Sequence, residues 1–500
     1  MNQQGRGRRS IVNRHGIIKP AASEGTAPQN RADSSSATPL DRVTPELLSR
    51  YDRPGPRYTS YPTAVEFHEG FTESDYRERL AAADRRVEDG LSLYIHVPFC
   101  DARCRFCGCN VIATARKEVS DDYLDYLGRE IDLLAENLPH RRKLLQYHWG
   151  GGTPTYLSPR QMEVLQKRVT DHFAIAPEAE VAIEVDPRTT TEEQLRTLRG
   201  LGFNRISLGV QDFTPEVQQA IGRIQTIEQT RRLVDDSRRL GFGSLNIDLI
   251  YGLPLQTVEA FEKTLAETIA MRPERVAVYS FAYLPRLRGN QRALDGNELP
   301  DRDTKFALFA AAIRAFLKAG YEQIGMDHFA LPEDELARAA AQRTLYRNFM
   351  GYTVHRAPDM LGLGVSSIGL VEGAFAQNAK KLSSYYRALD QGRFPVEKGY
   401  VLTRDDRIRQ RVILELMCNF YVGAAEIEAL FRINFQETFQ RELEELRAPG
   451  GPVEQGFARV SAKGVEVTPL GRLFIRNVAM IFDAYMREKR AGQPIFSRTV

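Results

Sequence analysis

The sequence predicts an α/β fold: an open barrel of six β/α units, an N-terminal arm before it, and a mostly helical, winged-helix-like domain after it. Three observations carry this expectation. Short β-branched and aromatic runs alternate with longer stretches of helical period over residues 91–325. The glycine-rich and polar motifs fall where those runs end, which is where chemistry gathers in parallel α/β barrels. From Thr403 onward the pattern is helical, interrupted by a hairpin signal.

In chain order, residues 1–42 carry Arg6, Arg8, Arg9, Arg14, Lys19 and Arg31 with little acidic charge and a small-residue tract at 34–37. A disordered tail is expected; a transit peptide is the alternative, disfavoured because its apolar residues lack helical spacing. Residues 43–90 form an arm: a short helix signal from Thr44 leads into YDRPGPRYTSYPT, where Pro54, Pro56 and Pro62 interrupt any helix and favour an extended strap laid over another surface. The barrel, 91–325, has strand candidates at 92–97, 145–149, 181–185, 205–209, 244–250 and 275–281. Between the first two, Tyr123, Leu124, Leu127, Ile131, Leu134 and Leu138 recur at helical intervals and mark one buried face. A helix over 305–319 is closed by Gly320.

Residues 326–500 form the last unit. Stretches 326–329, 347–353 and 362–369 read as glycine-containing or aromatic loops. Residues 457–462 and 465–467 read as a hairpin around Lys463 and Gly464. Thr468 and Pro469 then cap a final helix whose buried face is Phe474, Val478, Ile481, Phe482 and Tyr485. No basic face marks this unit for nucleic acid, so a cap over the barrel is the preferred reading.

The 500 residues suffice for two or three packed domains, and a net charge of +3 spread over both signs gives no general argument for a nucleic-acid partner. There is no apolar stretch of about 18 residues and no apolar core of a secretory signal. A cytoplasmic protein without membrane partners is expected, and a monomer, because no heptad seam is present. Four of the five cysteines cluster between Tyr94 and Asn110, which fits a reducing compartment better than a disulfide framework. Cys418, on a predicted apolar face, reads as core.

In YIHVPFCDARCRFCGCN, Cys100, Cys104 and Cys107 form C-x3-C-x2-C, with Cys109 two residues further on. Three thiolates at this spacing can hold three irons of a four-iron cluster and leave the fourth open to an exchangeable ligand. A structural zinc site is the alternative, but it usually draws on two separated pairs. Gly150, Gly151, Gly152, Thr153 and Pro154 end the second strand, where missing side chains let backbone groups meet a small ligand. Glu184 and Asp186 end the third as IEVDP, and a carboxylate there can accept from ribose hydroxyls. His96 and His148, inside strands, read as packed residues.

The cysteine loop after a first strand resembles the radical S-adenosylmethionine (SAM) enzymes. With Cys109, YIHVPFC and FCGCN, the chain is similar to the oxygen-independent coproporphyrinogen III oxidase family, from about Tyr51 to the C-terminus. The resemblance implies a [4Fe-4S] cluster on Cys100, Cys104 and Cys107 and two bound SAM molecules. It places Tyr94, Gly151, Glu184 and Ile368 against the first, and Phe106, Gly152, Thr153, Gln211, Arg223, Asp248 and Ala282 against the second. Tyr94 and Cys109 are assigned to the catalytic site, Cys109 in a supporting role and not as a ligand. His328 also matches a family position.

Tyr283 stands where the family more often has His, which would bear on proton handling or substrate contact. The implied substrate is coproporphyrinogen III, with an electron donor such as flavodoxin or ferredoxin and an unidentified electron acceptor. Arg57 and Arg347 are the candidate cations for its carboxylates. The rival readings are a haem chaperone or other porphyrin-handling protein and a radical SAM methyltransferase.

Overall fold

The structure is a computed structural model that describes residues 38–488 and 496–499. Most of the expected disordered tail, up to residue 37, lies outside the described residues. Residues 38–42 do not continue it: Pro39–Arg42 is a single 3-10 turn that buries Leu40.

All six expected strands form: β1 (Leu91–Val97), β2 (Lys143–Gly151), β3 (Ala174–Val185), β4 (Arg205–Gln211), β5 (Ser244–Tyr251) and β6 (Arg275–Ser280). They pair in chain order, each parallel to the next. The crossovers are helical. The first, α1 (Val119–Asn137), buries Tyr123, Leu127, Ile131 and Leu134 on the expected face. Of the later ones, α2 (Pro159–Thr170) starts on a capping box, Ser158 accepting from the Gln161 N–H while the Gln161 side chain accepts from Ser158. The apolar residues of β1 to β6 and of these helices form one continuous core under the sheet.

The stretches expected as loops after residue 325 are a correction. Just after β7 (Glu322–Ile324), they carry β8 (His328–Ala330), the separate hairpin β9 (Tyr346–Asn348) and β10 (Gly351–Thr353), then β11 (Asp359–Leu363) and β12 (Ile368–Val371); β13 (Ala374–Asn378) and β14 (Val396–Val401) follow, and all but the hairpin extend the same sheet. The twelve-stranded sheet runs β14-β13-β12-β11-β1-β2-β3-β4-β5-β6-β8-β7. β11 lies parallel to β1, with Tyr94 opposite Gly362, so the parallel run has a seventh strand. Glycine in DMLGL and GLGVSSIG hid this. A Cβ at Gly362 would stand 2.7 Å from the Ile368 backbone, so the glycine is what lets β12 close on β11.

The C-terminal unit begins with a helix, Arg404–Asn419, and packs further short helices around a three-stranded sheet that contains the expected hairpin, Ala458–Ser461 and Gly464–Val467. Thr468 caps as expected, its side chain accepting from the Gly471 N–H. The final helix is a second correction: Pro469–Leu473, Ile475–Ala479, a 3-10 turn at Met480–Phe482 and Ala484–Glu488 are separate pieces, broken at Phe474 and Asp483, whose backbones leave the helical region. Phe474, Val478, Ile481 and Phe482 are buried nonetheless, and Tyr485 is half-buried. Cys418 is fully buried in a small apolar cluster. Among the described residues no helix is long and apolar enough to cross a membrane. The arm bonds to the C-terminal unit, with Tyr58 donating to Asp483 at 2.8 Å and Arg476 donating to the Gly55 and Pro56 carbonyls.

Glu130 of α1 ties the last strands to the barrel. Its carboxylate accepts from Gly364 N–H (2.7 Å), Asn378 Nδ2 (2.6 Å) and Tyr385 OH (2.6 Å). Burial pushes its pKa up to about 7 despite these three donors. A native pKa above the unfolded one means that the folded state holds the extra proton, so this group's contribution falls as pH rises from about 4.5 to about 7. Glu130→Gln should flatten that fall, read as the difference in urea midpoint between pH 5 and 7.5; an unchanged difference would remove Glu130 as its source.

Candidate active site at the strand ends

The site is built from the C-terminal ends of β1 to β5 and the loops that leave them. A cavity of about 310 Å³ opens there. Cys100, Cys104, Cys107 and Cys109 line one side with Phe106; Gly151, Gly152, Thr153 and Glu184 line another; Gln211, Arg223 and Asp248 complete it. Twelve of the fifteen residues singled out from sequence therefore share one space. Tyr94, Ala282 and Ile368 lie outside its lining. Tyr94 pairs with Gly362, and the Ile368 backbone packs against that glycine.

The cysteine loop is held from both ends. Ile112–Ala113 pairs with Phe99–Cys100, and His96 Nε2 donates to the Asn110 carbonyl at 3.0 Å. Since a carbonyl can only accept, that bond puts the ring proton on Nε2, and Nδ1 accepts from the Tyr94 hydroxyl at 3.0 Å. Burial lowers the His96 pKa, which keeps the ring neutral for this arrangement. Tyr94 stacks on His148, and His148 Nε2 lies 3.4 Å from Glu184 Oε1. The two histidines do pack; His148 also links Tyr94 to Glu184, and His96 links Tyr94 to the Asn110 carbonyl.

From the far side, Asn290 Nδ2 donates to the carbonyls of Cys104, Arg105 and Cys107 at 2.9–3.2 Å, and Gln291 Nε2 to those of Phe106 and Ala282 at 3.0 Å. Four carbonyls of the loop met by two side chains give it its curvature. Sequence reasoning missed both residues, because a lone polar pair in a short 3-10 turn has no period and no motif.

The glycine turn is shaped by close approach. Gly152 and Thr153 N–H donate to the Val97 and Phe99 carbonyls at 2.8 Å, and a Cβ on Gly152 would stand 2.6 Å from Phe99 O. Gly151 has φ +115°, and a Cβ there would meet His96 Nδ1 at 2.5 Å, so both positions need glycine. The Gly151 N–H donates to Glu184 Oε2 at 3.0 Å. Burial raises the Glu184 pKa, but the bonds from His148 and Gly151 outweigh it and hold the carboxyl ionised, below its ordinary value.

Around Cys104 the charges are organised. Asp186 Oδ2 meets Arg188 Nη2 at 2.6 Å and Arg223 Nη1 at 2.9 Å, and both guanidiniums reach Cys104 Sγ, at 3.8 and 3.7 Å. Cationic donors on a sulfur favour its thiolate. Arg188 was not foreseen. Cys107 Sγ accepts from the Cys109 backbone N–H at 3.4 Å, and its pKa is lowered to about 6, chiefly by the Cys109 thiol. Gln211 ends β4 at a bulge with φ +72°. Asp248 accepts from Asn246 Nδ2 (2.8 Å) and Ser207 Oγ (3.2 Å), and burial pushes its pKa up to about 7.

The donor set suits a cluster and not a single ion. Among the described residues no three Cys, His, Asp or Glu side chains close on one point. Yet three thiols of one loop face a common cavity, which a four-iron cluster spans and a tetrahedral zinc does not.

Tyr283 does not line the cavity. It packs beside Phe281, its hydroxyl 3.5 Å from the Leu294 carbonyl. Arg57 is ion-paired with Asp327, whose other oxygen is 2.8 Å from His328 Nδ1. Arg347 Nη1 donates to the Arg57 carbonyl at 2.8 Å, but its buried Nε has no partner, and no carboxylate pairs with it among the described residues.

A parallel barrel with three thiols of one loop at its strand ends is the architecture of a radical SAM protein, a class that uses a [4Fe-4S] cluster and SAM. Residues 94–267 match the Radical SAM superfamily and residues 402–474 the HemN C-terminal domain. Oxygen-independent coproporphyrinogen III oxidase of Escherichia coli K12 is 45% identical over 454 residues, 91% of this chain and 98% of that protein. The enzyme of the same name from Synechocystis is 42% identical over 463 residues, covering 92% and 99%. The solved structure of coproporphyrinogen III oxidase (HemN) from Escherichia coli, described as a radical SAM enzyme, superposes with a TM-score of 0.82 at 44% identity over 86% of this chain and 97% of that one. The chain belongs to the oxygen-independent coproporphyrinogen III oxidase family.

Proposed function

We propose that the protein converts two propionate side chains of coproporphyrinogen III to vinyl groups, giving protoporphyrinogen IX without oxygen. The observation that carries this reading is the near full-length similarity to enzymes of that name, together with cysteine, glycine and carboxylate motifs converging on one cavity. Each event removes one β-hydrogen atom and carbon dioxide from a propionate and passes one electron to a separate electron acceptor. When bound, the cluster and SAM supply a 5'-deoxyadenosyl radical able to take hydrogen from an unactivated carbon.

The chain's own residues hold and orient. Cys100, Cys104 and Cys107 are the cluster ligands, and Asn290 and Gln291 set the curvature of their loop. Glu184, held ionised by His148 and Gly151, offers acceptors to the hydroxyls of the first SAM, with Tyr94 and Ile368 behind it. Gln211, Arg223 and Asp248, with Phe106, Gly152, Thr153 and Ala282, surround the second. Cys109 supports Cys107. The electron enters from a one-electron carrier such as flavodoxin or ferredoxin, and the protein works as a cytoplasmic monomer.

Of the two candidate cations, Arg347 is the better carboxylate partner, because Arg57 is committed to Asp327 while Arg347 is 6% exposed with an unpartnered Nε. Arg347→Ala should raise the Michaelis constant for coproporphyrinogen III by about tenfold or more, on the order of one charge-assisted hydrogen bond, with iron content unchanged. An unaltered constant would take Arg347 out of the substrate site.

The reading is tested anaerobically by following 5'-deoxyadenosine and product mass together after cluster assembly, reduction and addition of SAM and coproporphyrinogen III. Two decarboxylations coupled to 5'-deoxyadenosine are expected. A methylated product, or bound haem with no change in mass, would replace this reading with the methyltransferase or the chaperone.

A further inference from the structure

Outside the cavity, the face of the cysteine loop that looks to solvent is strongly basic. Residues 102–115 contain Arg105 and Arg103, the latter also at the cavity's rim, and no acid; residues 281–294 contain Arg286, Arg288 and Arg292 and no acid. All five arginines are exposed. None has a carboxylate partner among the described residues, although the chain as a whole pairs its charges freely. The nearby Asp101 is spent on Lys117, at 2.7 Å.

The two segments form one surface. Asn290 and Gln291, flanked by Arg288 and Arg292, are the residues that bond the cysteine-loop carbonyls. Arg105 bonds the Ala220 carbonyl at 3.0 Å and lies over Gly222, which brings Ile224 to the same rim. Leu287 is 62% exposed and Ile224 63% exposed, among the most exposed large apolar side chains described.

We infer that this face docks the electron donor, and that the donor is an acidic one-electron carrier protein. The inference rests on the proposed function, which requires an electron to reach the group held by Cys100, Cys104 and Cys107. Electron transfer falls steeply with distance, so the carrier must sit against this loop. One electron leaves the carrier and enters that group, with no bond made or broken between the proteins. Unpaired arginines around a small apolar contact suit a transient encounter, in which charge steers association and little area is buried. The spacing of these charges over two short loops, beside a redox centre, favours a protein over a nucleic acid.

The test is binding of oxidised flavodoxin, an acidic flavin protein, to the cluster-loaded enzyme at rising salt, beside 5'-deoxyadenosine formation driven by reduced flavodoxin or by dithionite. For the unaltered protein, the dissociation constant should rise at least tenfold between 50 and 300 mM salt. With Arg286→Glu, Arg288→Glu and Arg292→Glu together, binding at low salt should weaken at least tenfold and lose most of its salt dependence. Flavodoxin-driven cleavage should fall in parallel, and dithionite-driven cleavage should stay within twofold. Unchanged flavodoxin binding in the variant, or salt-dependent DNA binding at this face with flavodoxin silent, overturns the inference. Should dithionite-driven cleavage also drop, the Arg→Gln version of the same triple is measured by binding alone, and the same two results decide. Absence of dithionite-driven cleavage in the unaltered protein sinks the enzyme reading instead, separately from the docking surface.

Discussion

Cys104→Ala should leave the protein folded but without a cluster able to bind SAM, and 5'-deoxyadenosine formation should fall to background. Cys104 is buried at the turn of its loop, with Arg188 and Arg223 both on its sulfur. Removing it takes away one of three thiolates, and leaves two guanidiniums with only Asp186 between them. Loss of an outer partner of a metal ligand typically costs about 10- to 100-fold, so loss of the ligand itself should exceed about 10³-fold. Cys109→Ala is the contrast. Cys109 is exposed beside Cys107 and is proposed not to ligate, so its iron and sulfide content should match the unaltered protein. Equal loss of iron in both variants would make Cys109 a fourth ligand and overturn the assignment.

Glu184→Ala should have the second largest effect, and it should act on SAM and not on the cluster. The carboxylate is kept ionised by His148 and by the Gly151 N–H, and it stands where β3 meets the glycine turn. If it accepts from two ribose hydroxyls, the change removes two charge-assisted hydrogen bonds, each about 1.5–3 kcal/mol, or roughly 10²- to 10⁴-fold in SAM affinity. Iron content should be unchanged, because no thiol depends on Glu184. SAM binding is read directly by equilibrium dialysis on the loaded enzyme. Affinity within threefold of the unaltered protein would place the ribose elsewhere.

Much of the barrel was legible because its strands are compact β-branched runs and its first helix has a clean apolar face. Tyr123, Leu127, Ile131 and Leu134 had only to be counted at intervals of three and four, and all are buried. The cavity was legible for a different reason: the cysteine, glycine and carboxylate motifs each end a strand, and parallel pairing brings strand ends together.

The rest was hidden by physics that works at long range. Asp359–Leu363 joins β1 in parallel from more than 250 residues away, and its glycines, needed for close backbone approach, erase the strand signal. The antiparallel strands after Gly325 are short, so they read as loops until the sheet edge supplies their partners. The last helix looked continuous because its apolar residues keep helical spacing; the breaks at Phe474 and Asp483 leave that face buried and so leave no trace in the pattern. Asn290, Gln291 and Arg188 act through backbone carbonyls and a sulfur distant in sequence, which no local rule marks.

The central claim, that a radical formed in this cavity takes a β-hydrogen from a propionate, is tested most directly by isotope transfer. The loaded, reduced enzyme is given SAM and coproporphyrinogen III deuterated at the β-carbons of the propionates, and the 5'-deoxyadenosine formed is weighed by mass spectrometry. The account predicts 5'-deoxyadenosine carrying one deuterium for each vinyl group formed. Vinyl groups formed alongside unlabelled 5'-deoxyadenosine would contradict it.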